Sequence, residues 1–285
     1  DEDAMHKEEL PEILPILPLR NTVLFPGVVI PITAGRDKSI KLINETNKGN
    51  KVIGVVSQID ENEEEPGIGD INTIGTVAQI LRVLKMPDGN TTVIIQGKKR
   101  FEVAEVITTN PYMTATIREV AEARPEKESE EFRAIIDSIK EMALKIIKES
   151  PNIPSEAAFA IKNIESSSFL INFVSSNLNI EVEEKQALLE INNLKDRALE
   201  TLRYMNMEIQ KLSLRNDIQS KVQSDINQQQ REYFLQQQMK TIQEELGGSS
   251  MEEEIEEMRE RATKKKWSKE VEKHFNKELS KMQRM

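Results

Sequence analysis

The 285 residues predict an α+β chain: a mainly antiparallel β-domain first, then an α-helical bundle with one very long projecting helix and a C-terminal helical segment. Three observations predict it. All eleven prolines fall at or before residue 154 and nine of eleven glycines at or before residue 97, while 155–246 contains neither. Gly and Pro mark turns and are costly inside helices, so turns crowd the first part and are scarce in the second. Apolar residues run in short β-branched blocks early and recur at three-four spacing later. Charged residues at 31% with aromatics at only 4% match much solvated helical surface.

The first apolar stretch, LPILPLRNTVLFPGVVIPI (14–32), is too broken by Pro15, Pro18, Pro26, Pro31, Arg20 and Asn21 to form a spanning helix. Its acidic lead-in DEDAMHKEEL is the opposite of a basic signal-peptide start. ILPILPL (13–19) and the VVIPI run after Gly27 therefore read as strands, with Pro at strand ends, edges or bulges. RDKSIKLINETNKGN (36–50) is one short amphipathic helix stopped at Gly49, and KVIGVVSQI (51–59) has the length of a buried strand. DENEEEPGIGD (60–70) reads as a solvated acidic loop, because it lacks the ligand order of an EF-hand.

IGTVAQILRVLKM (74–86) and TTVIIQG (91–97) flank PDGN, whose Asp-Gly suits a tight hairpin. RFEVAEVI (100–107) and YMTATIREV (112–120) add two more strands around the turn at Asn110-Pro111. Six or so strands with one short helix suggest a compact sheet or partly open barrel. A charged linker, AEARPEKESEE (121–131), leads to the helices. The first, 129–150, repeats apolar residues from Phe132 to Ile147 and ends at Ser150-Pro151. SEAAFAIKNI (155–164) is a second, capped by Ser155; SSSFLINFVSSNL (166–178) and EVEEKQALLEI (181–191) are a third and fourth.

Next comes a helix of about 194–246, stopped by Gly247-Gly248. At about 1.5 Å per residue it would extend roughly 75 Å, so its distal half must project or find a partner helix. Residues 251–285 could supply that partner as one or two helices, with Trp267 and Phe275 as anchors. The domains expected are thus 10–122, 127–193, 194–246 and 250–285.

Composition excludes several chemistries. There is no cysteine, hence no disulfide, thiolate or Cys-ligated zinc, and His6 and His274 lie near opposite ends, so no metal site is expected. A net charge of -10 argues against nucleic acid and anionic membranes. The basic runs Lys98-Lys99-Arg100 and Lys264-Lys265-Lys266 read as solvated turns. The chain has no phosphate-cradling G-x-x-x-x-G-K-[ST] loop, no G-x-S-x-G elbow and no H-E-x-x-H helix. The chain is therefore expected to be non-enzymatic and cytoplasmic.

Four stretches, in order, carry a resemblance: LPILPLRNTVLFPGVVIPI, PDGNTTVIIQGKKRFEV, EEKQALLE and QQQREYFLQQQMKTIQEELG. Together they resemble the N-terminal region of the ATP-dependent serine protease Lon, of LonA type. The family's QREYYLREQ run stands here as QREYFLQQQ, which alters the local charge. The resemblance implies a PUA-like β-domain, a bundle and a long helix leading toward an AAA+ module. That module would bind ATP and Mg, and a Ser-Lys dyad would lie in a domain beyond it; neither is within these residues, so no cofactor is expected here. It further implies recruitment of unfolded or damaged protein substrates and support of a homohexamer. Adaptable apolar side chains suit that task. The candidates are Leu19 and Phe25 beside the Asn21-Thr22 turn, Met86 beside the hairpin, and Tyr233 and Phe234 on the long helix. Plain packing is the competing reading of each. A coiled-coil scaffold with no substrate binding of its own is the alternative function.

Overall fold

The computed structural model describes residues 10–87, 89–124, 129–150, 153–154, 156–245 and 251–282. Asp88 of the expected hairpin turn, Pro151, the cap Ser155, the Gly247-Gly248 stop and His6 lie outside the described residues. The described residues form six strands and eight α-helices, of which β1 (Ile13–Leu19), β2 (Val29–Ala34), α1 (Asp37–Lys48), β3 (Val52–Ser57), β4 (Ile74–Lys85), β5 (Thr91–Thr108) and β6 (Thr114–Glu119) make the β-domain. The helices after it are α2 (Glu130–Glu149), α3 (Glu156–Lys162), α4 (Ser167–Asn177), α5 (Val182–Glu190), α6 (Leu194–Glu245), α7 (Met251–Thr263) and α8 (Lys269–Met282).

The strand order is β2-β5-β4-β3-β1-β6, and β5 also pairs with β6, which curls the sheet toward a barrel. Only β1 and β3 run parallel, Ile16 to Leu19 beside Gly54 to Ser57, with α1 in the crossover between them. Every other pairing between these six strands is antiparallel. Strand β3 is buried along nearly its whole length, as its unbroken β-branched run requires. Two apolar clusters fill the sheet: one around Leu17, Leu42, Ile53, Ile80 and Ile95, the other around Leu14, Ile16, Val77 and Phe101. Helix α1 ends where Gly49 donates its N–H to Thr46 O, at the expected stop.

One expectation fails inside β5. TTVIIQG and RFEVAEVI are not two strands joined by a charged turn; they are one strand of 18 residues. Lys98-Lys99-Arg100 is its middle, and Lys99 and Arg100 are buried. Continuity is possible because β5 serves three partners along its length, β2 over 91–96, β4 over 91–102 and β6 from Phe101 onward.

The bundle forms because its helices have apolar faces that meet, and α2 and α4 start at side-chain caps. Ser129 and Ser166 accept the N–H of Phe132 and Phe169 and so satisfy open amides at the starts of α2 and α4. Ile135, Ile139, Ile171, Leu188 and Met205 meet in one core, which also takes in Val23, Phe25 and Val28 from the loop between β1 and β2. The β-domain and the bundle therefore share buried surface. The chain divides into two compact units, Asp1–Leu214 and Arg215–Met285, and the boundary falls inside α6. In the second unit, Trp267 and Phe275 meet edge to face at 4.9 Å, and Ile255 and Leu279 are buried. The apolar side chains of α6 from Leu214 to Ile242 remain exposed, so α7 and α8 do not cover them.

Candidate functional site

The five predicted site residues separate into two kinds. Leu19 is 6% exposed and packs with Leu17, Leu24 and Leu42, while Phe25 is fully buried among the bundle helices. Their expected role as contacts for another chain is corrected by that burial. The loop containing them is a joint: Thr76 Oγ1 donates to Leu24 O at 2.6 Å, and Asn172 Nδ2 donates to Pro26 O at 3.3 Å. The same loop passes so close to β5 that a Cβ on Gly97 would lie 2.3 Å from Phe25 O.

Met86, Tyr233 and Phe234 are 45%, 65% and 60% exposed. Met86 continues the β4 end of the hairpin, where its N–H donates to Asn90 O at 2.9 Å. Directly paired residues of antiparallel strands share a face, and that face recurs every second residue. Arg82 and Pro31 both oppose Ile94, and Leu84 opposes Thr92, so Pro31, Ile94, Leu84 and Met86 lie on one face, continued by Val29 opposite Gln96. Ile94 is half-buried and the rest are exposed, whereas Val93, Ile95 and Ile80 take the other, core side. Tyr233 and Phe234 belong to the second unit, where Gln237 Nε2 donates to the Tyr233 hydroxyl at 3.3 Å.

Behind the joint lies a buried ionic cluster that sequence reading missed. Arg100 Nη1 donates to Leu189 O at 2.9 Å, Ile191 O at 3.2 Å and Asn192 Oδ1 at 3.0 Å, and its Nη2 donates to Ala121 O at 3.2 Å. Arg197, at the start of α6, is fully buried; it donates to Ile191 O at 2.6 Å, Asn172 Oδ1 at 2.9 Å and Glu122 Oε2 at 3.0 Å. Glu122 also accepts from Ser168 Oγ at 3.0 Å. Burial and the like charge of Arg197 push the Arg100 guanidinium down to about 10. Burial alone would raise the Glu122 carboxyl, but Arg197, Ser168, Arg124 and Arg100 together hold it below the usual carboxylate range. The cluster ties β5, the 120–124 segment, α4, α5 and α6 together, so the head of the expected charged linker is clamped. A cavity of about 340 Å³ beside it is lined by Gly27, Lys98, Glu119 and Phe169 among others, and Lys99 within it pairs with Glu119 at 3.0 Å.

Among the described residues no group of three or more acidic or histidine side chains is placed to hold a metal, and no helix is long and apolar enough to cross a membrane. What the surface offers chemically is apolar contact on the hairpin face and along α6.

A family profile described as the ATP-dependent protease La (LON) substrate-binding domain matches residues 13–207. The chain is 72% identical over 285 residues to a Lon protease of Flavobacterium johnsoniae, and 50% identical over 285 residues to one of Cytophaga hutchinsonii. In both cases all of this chain is matched, and it spans 35% of the relative's length. Among solved structures, the N-terminal domain of the Mycobacterium avium complex Lon protease superposes with a TM-score of 0.55 at 19% identity, covering 68% of this chain and 98% of that one. That likeness shows the fold.

Proposed function

The chain belongs to the Lon protease family, matching its substrate-binding domain, and from that premise we propose that it captures exposed apolar segments of unfolded or damaged proteins. The observation that carries the reading is the exposed apolar hairpin face with Met86 at its end. Unfolded chains share no sequence, so their receptor needs adaptable apolar contact more than a polar pocket, and Met and Leu on an exposed hairpin supply it. Delivery to an ATP-driven module and a Ser-Lys peptidase elsewhere in the full-length protein completes the role.

Binding of a chemically denatured, fluorescently labelled protein to the full 285-residue chain tests this. Met86→Ser combined with Leu84→Ser should weaken binding about three- to tenfold, the loss expected for two partly covered apolar side chains. Both residues are exposed, so the variant should unfold at the wild-type urea midpoint. Wild-type affinity in that variant would remove the hairpin face from the site.

A second reading, assembly, is favoured by a different observation. Leu214, Ile218, Val222 and Ile226 recur every four residues on α6 and are all exposed, forming a stripe suited to a second helix. Homohexamer support in the full-length protein fits that stripe.

A further inference from the structure

Three cations and an acidic loop face one another at the edge of the β-domain, and the function proposed above uses none of them. Arg20 follows β1, while Arg36 and Lys38 stand at the start of α1. Across from them runs the 60–67 loop with Glu61, Glu63, Glu64 and Glu65. Arg20 Nη2 meets Glu64 Oε2 at 2.8 Å and Lys38 Nζ meets Glu65 Oε2 at 2.7 Å. Arg36 Nη2 donates to Glu63 O and to Gln58 Oε1, both at 2.9 Å. Burial and the like charge of Arg20 push the Arg36 guanidinium down, and Glu64 and Glu63 oppose that push. The cations are thus close enough to repel one another, and carboxylates relieve the repulsion.

The base of the loop is fixed differently from its tip. Gln58 bridges Ile71, and Ile59 donates its N–H to Asp70 O at 2.8 Å. The carboxylate side chains of the tip are held by pairs whose members are largely exposed, and such pairs are weak and screened by salt. Next to the tip lies a groove of about 660 Å³, lined by Leu17, Leu42, Tyr112 and Met113 together with Arg36, Lys38, Glu64 and Glu65. Cations that hold carboxylates, Arg20 and Lys38, beside a groove with apolar side chains in its lining make a two-part recognition element, and the loop fills the first part.

We propose that the 60–67 loop is an intramolecular stand-in for an acidic segment of a bound polypeptide. Arg20, Arg36 and Lys38 take carboxylates of an extended acidic and apolar segment, whose apolar side chains enter the groove, and the loop is displaced. Charge complementarity selects the occupant, since the structure itself shows carboxylates on Arg20 and Lys38, with the Glu63 backbone carbonyl on Arg36 between them. The proposal rests on the reading of the chain as a binder of unfolded polypeptides and names a sequence class within it.

The test is fluorescence anisotropy with a labelled peptide of alternating Glu and Leu and its Gln and Leu counterpart. Glu64→Gln with Glu65→Gln removes the competing carboxylates from exposed positions and should tighten binding of the Glu peptide about three- to tenfold, as expected for two weak ion pairs. The Gln peptide should show no gain. Adding Arg20→Gln should reverse the gain, and salt of about 0.5 M should shrink it. Equal affinity of wild type and double variant for the Glu peptide overturns the proposal. So does an equal gain for the Gln peptide, which would make the loop only a steric cover, and so does a double variant that binds neither. A neutral denatured protein measured alongside decides the broader reading separately: its failure to bind removes unfolded-chain capture, whereas the loop is judged by the peptide pair alone.

Discussion

Arg197 is fully buried and Arg100 nearly so, yet one carboxylate, Glu122, pairs with Arg197 and offsets both charges. Two guanidiniums survive there because backbone carbonyls of residues 121, 189 and 191 accept most of their donors. Removing the carboxylate leaves buried positive charge with only neutral acceptors. Glu122→Gln should therefore destabilise the first unit by about 3 kcal/mol, read as a lower urea midpoint. Acid should mimic the substitution. The ordinary carboxyl value is 4.5 and the folded value lies below it, so the contribution is complete above 4.5 and is lost as pH falls through the folded value. Wild type should lose stability across that acid window, and Glu122→Gln should lose less.

Strand β5 shows how far pattern carries and where it stops. Its two halves were legible as β-branched runs, but Lys98-Lys99-Arg100 hid their continuity, because three adjacent cations read locally as a turn. Only tertiary partners explain them: Glu119 for Lys99, and carbonyls some 90 residues away for Arg100. Helices α1, α2 and α6 were readable because their Gly, Ser and apolar signals are local. The burial of Leu19 and Phe25 was not, since an exposed turn and a domain joint have the same composition. Gly97 marks that joint on β5. Its Cβ would sit 2.3 Å from the Phe25 carbonyl oxygen, and backbone on both sides cannot yield cheaply. Gly97→Ala should cost about 1–3 kcal/mol by forcing the β1–β2 loop off β5, and a lowered thermal midpoint would register it. The same substitution at Gly69, where a Cβ meets nothing within 4 Å, is the control and should be near neutral.

At the scale of the whole chain, two compact units meet inside one 52-residue helix, and they bury their apolar groups unequally. The first unit buries three apolar clusters while leaving residues such as Val29, Leu84, Met86 and Phe159 exposed, whereas the second, with Ile255 and Leu279 buried, leaves Ile218, Val222, Ile226, Tyr233, Phe234, Leu235, Met239 and Ile242 exposed on α6. Isolated exposed apolar residues are ordinary, but a continuous stripe at four-residue spacing marks a contact surface. On a helix, Leu214, Ile218, Val222 and Ile226 drift by about 40° per step, so with Tyr233 they stay within a sector of about 120°. Leu235, Met239 and Ile242 fall beside that sector on the same wheel, so together they give the helix one apolar side about 200° wide. A broad apolar helical side suits packing with further helices better than capture of one extended chain, which is why assembly is proposed for α6 and capture for the hairpin. Light scattering of the purified chain should then show a species heavier than 32.6 kDa whose share grows with concentration. Ile218→Ser with Val222→Ser should shift it toward the monomer mass while leaving binding of denatured protein unchanged, and Met86→Ser should do the reverse. If Ile218→Ser with Val222→Ser instead abolished binding at unchanged mass, the two roles would have to be exchanged between the elements.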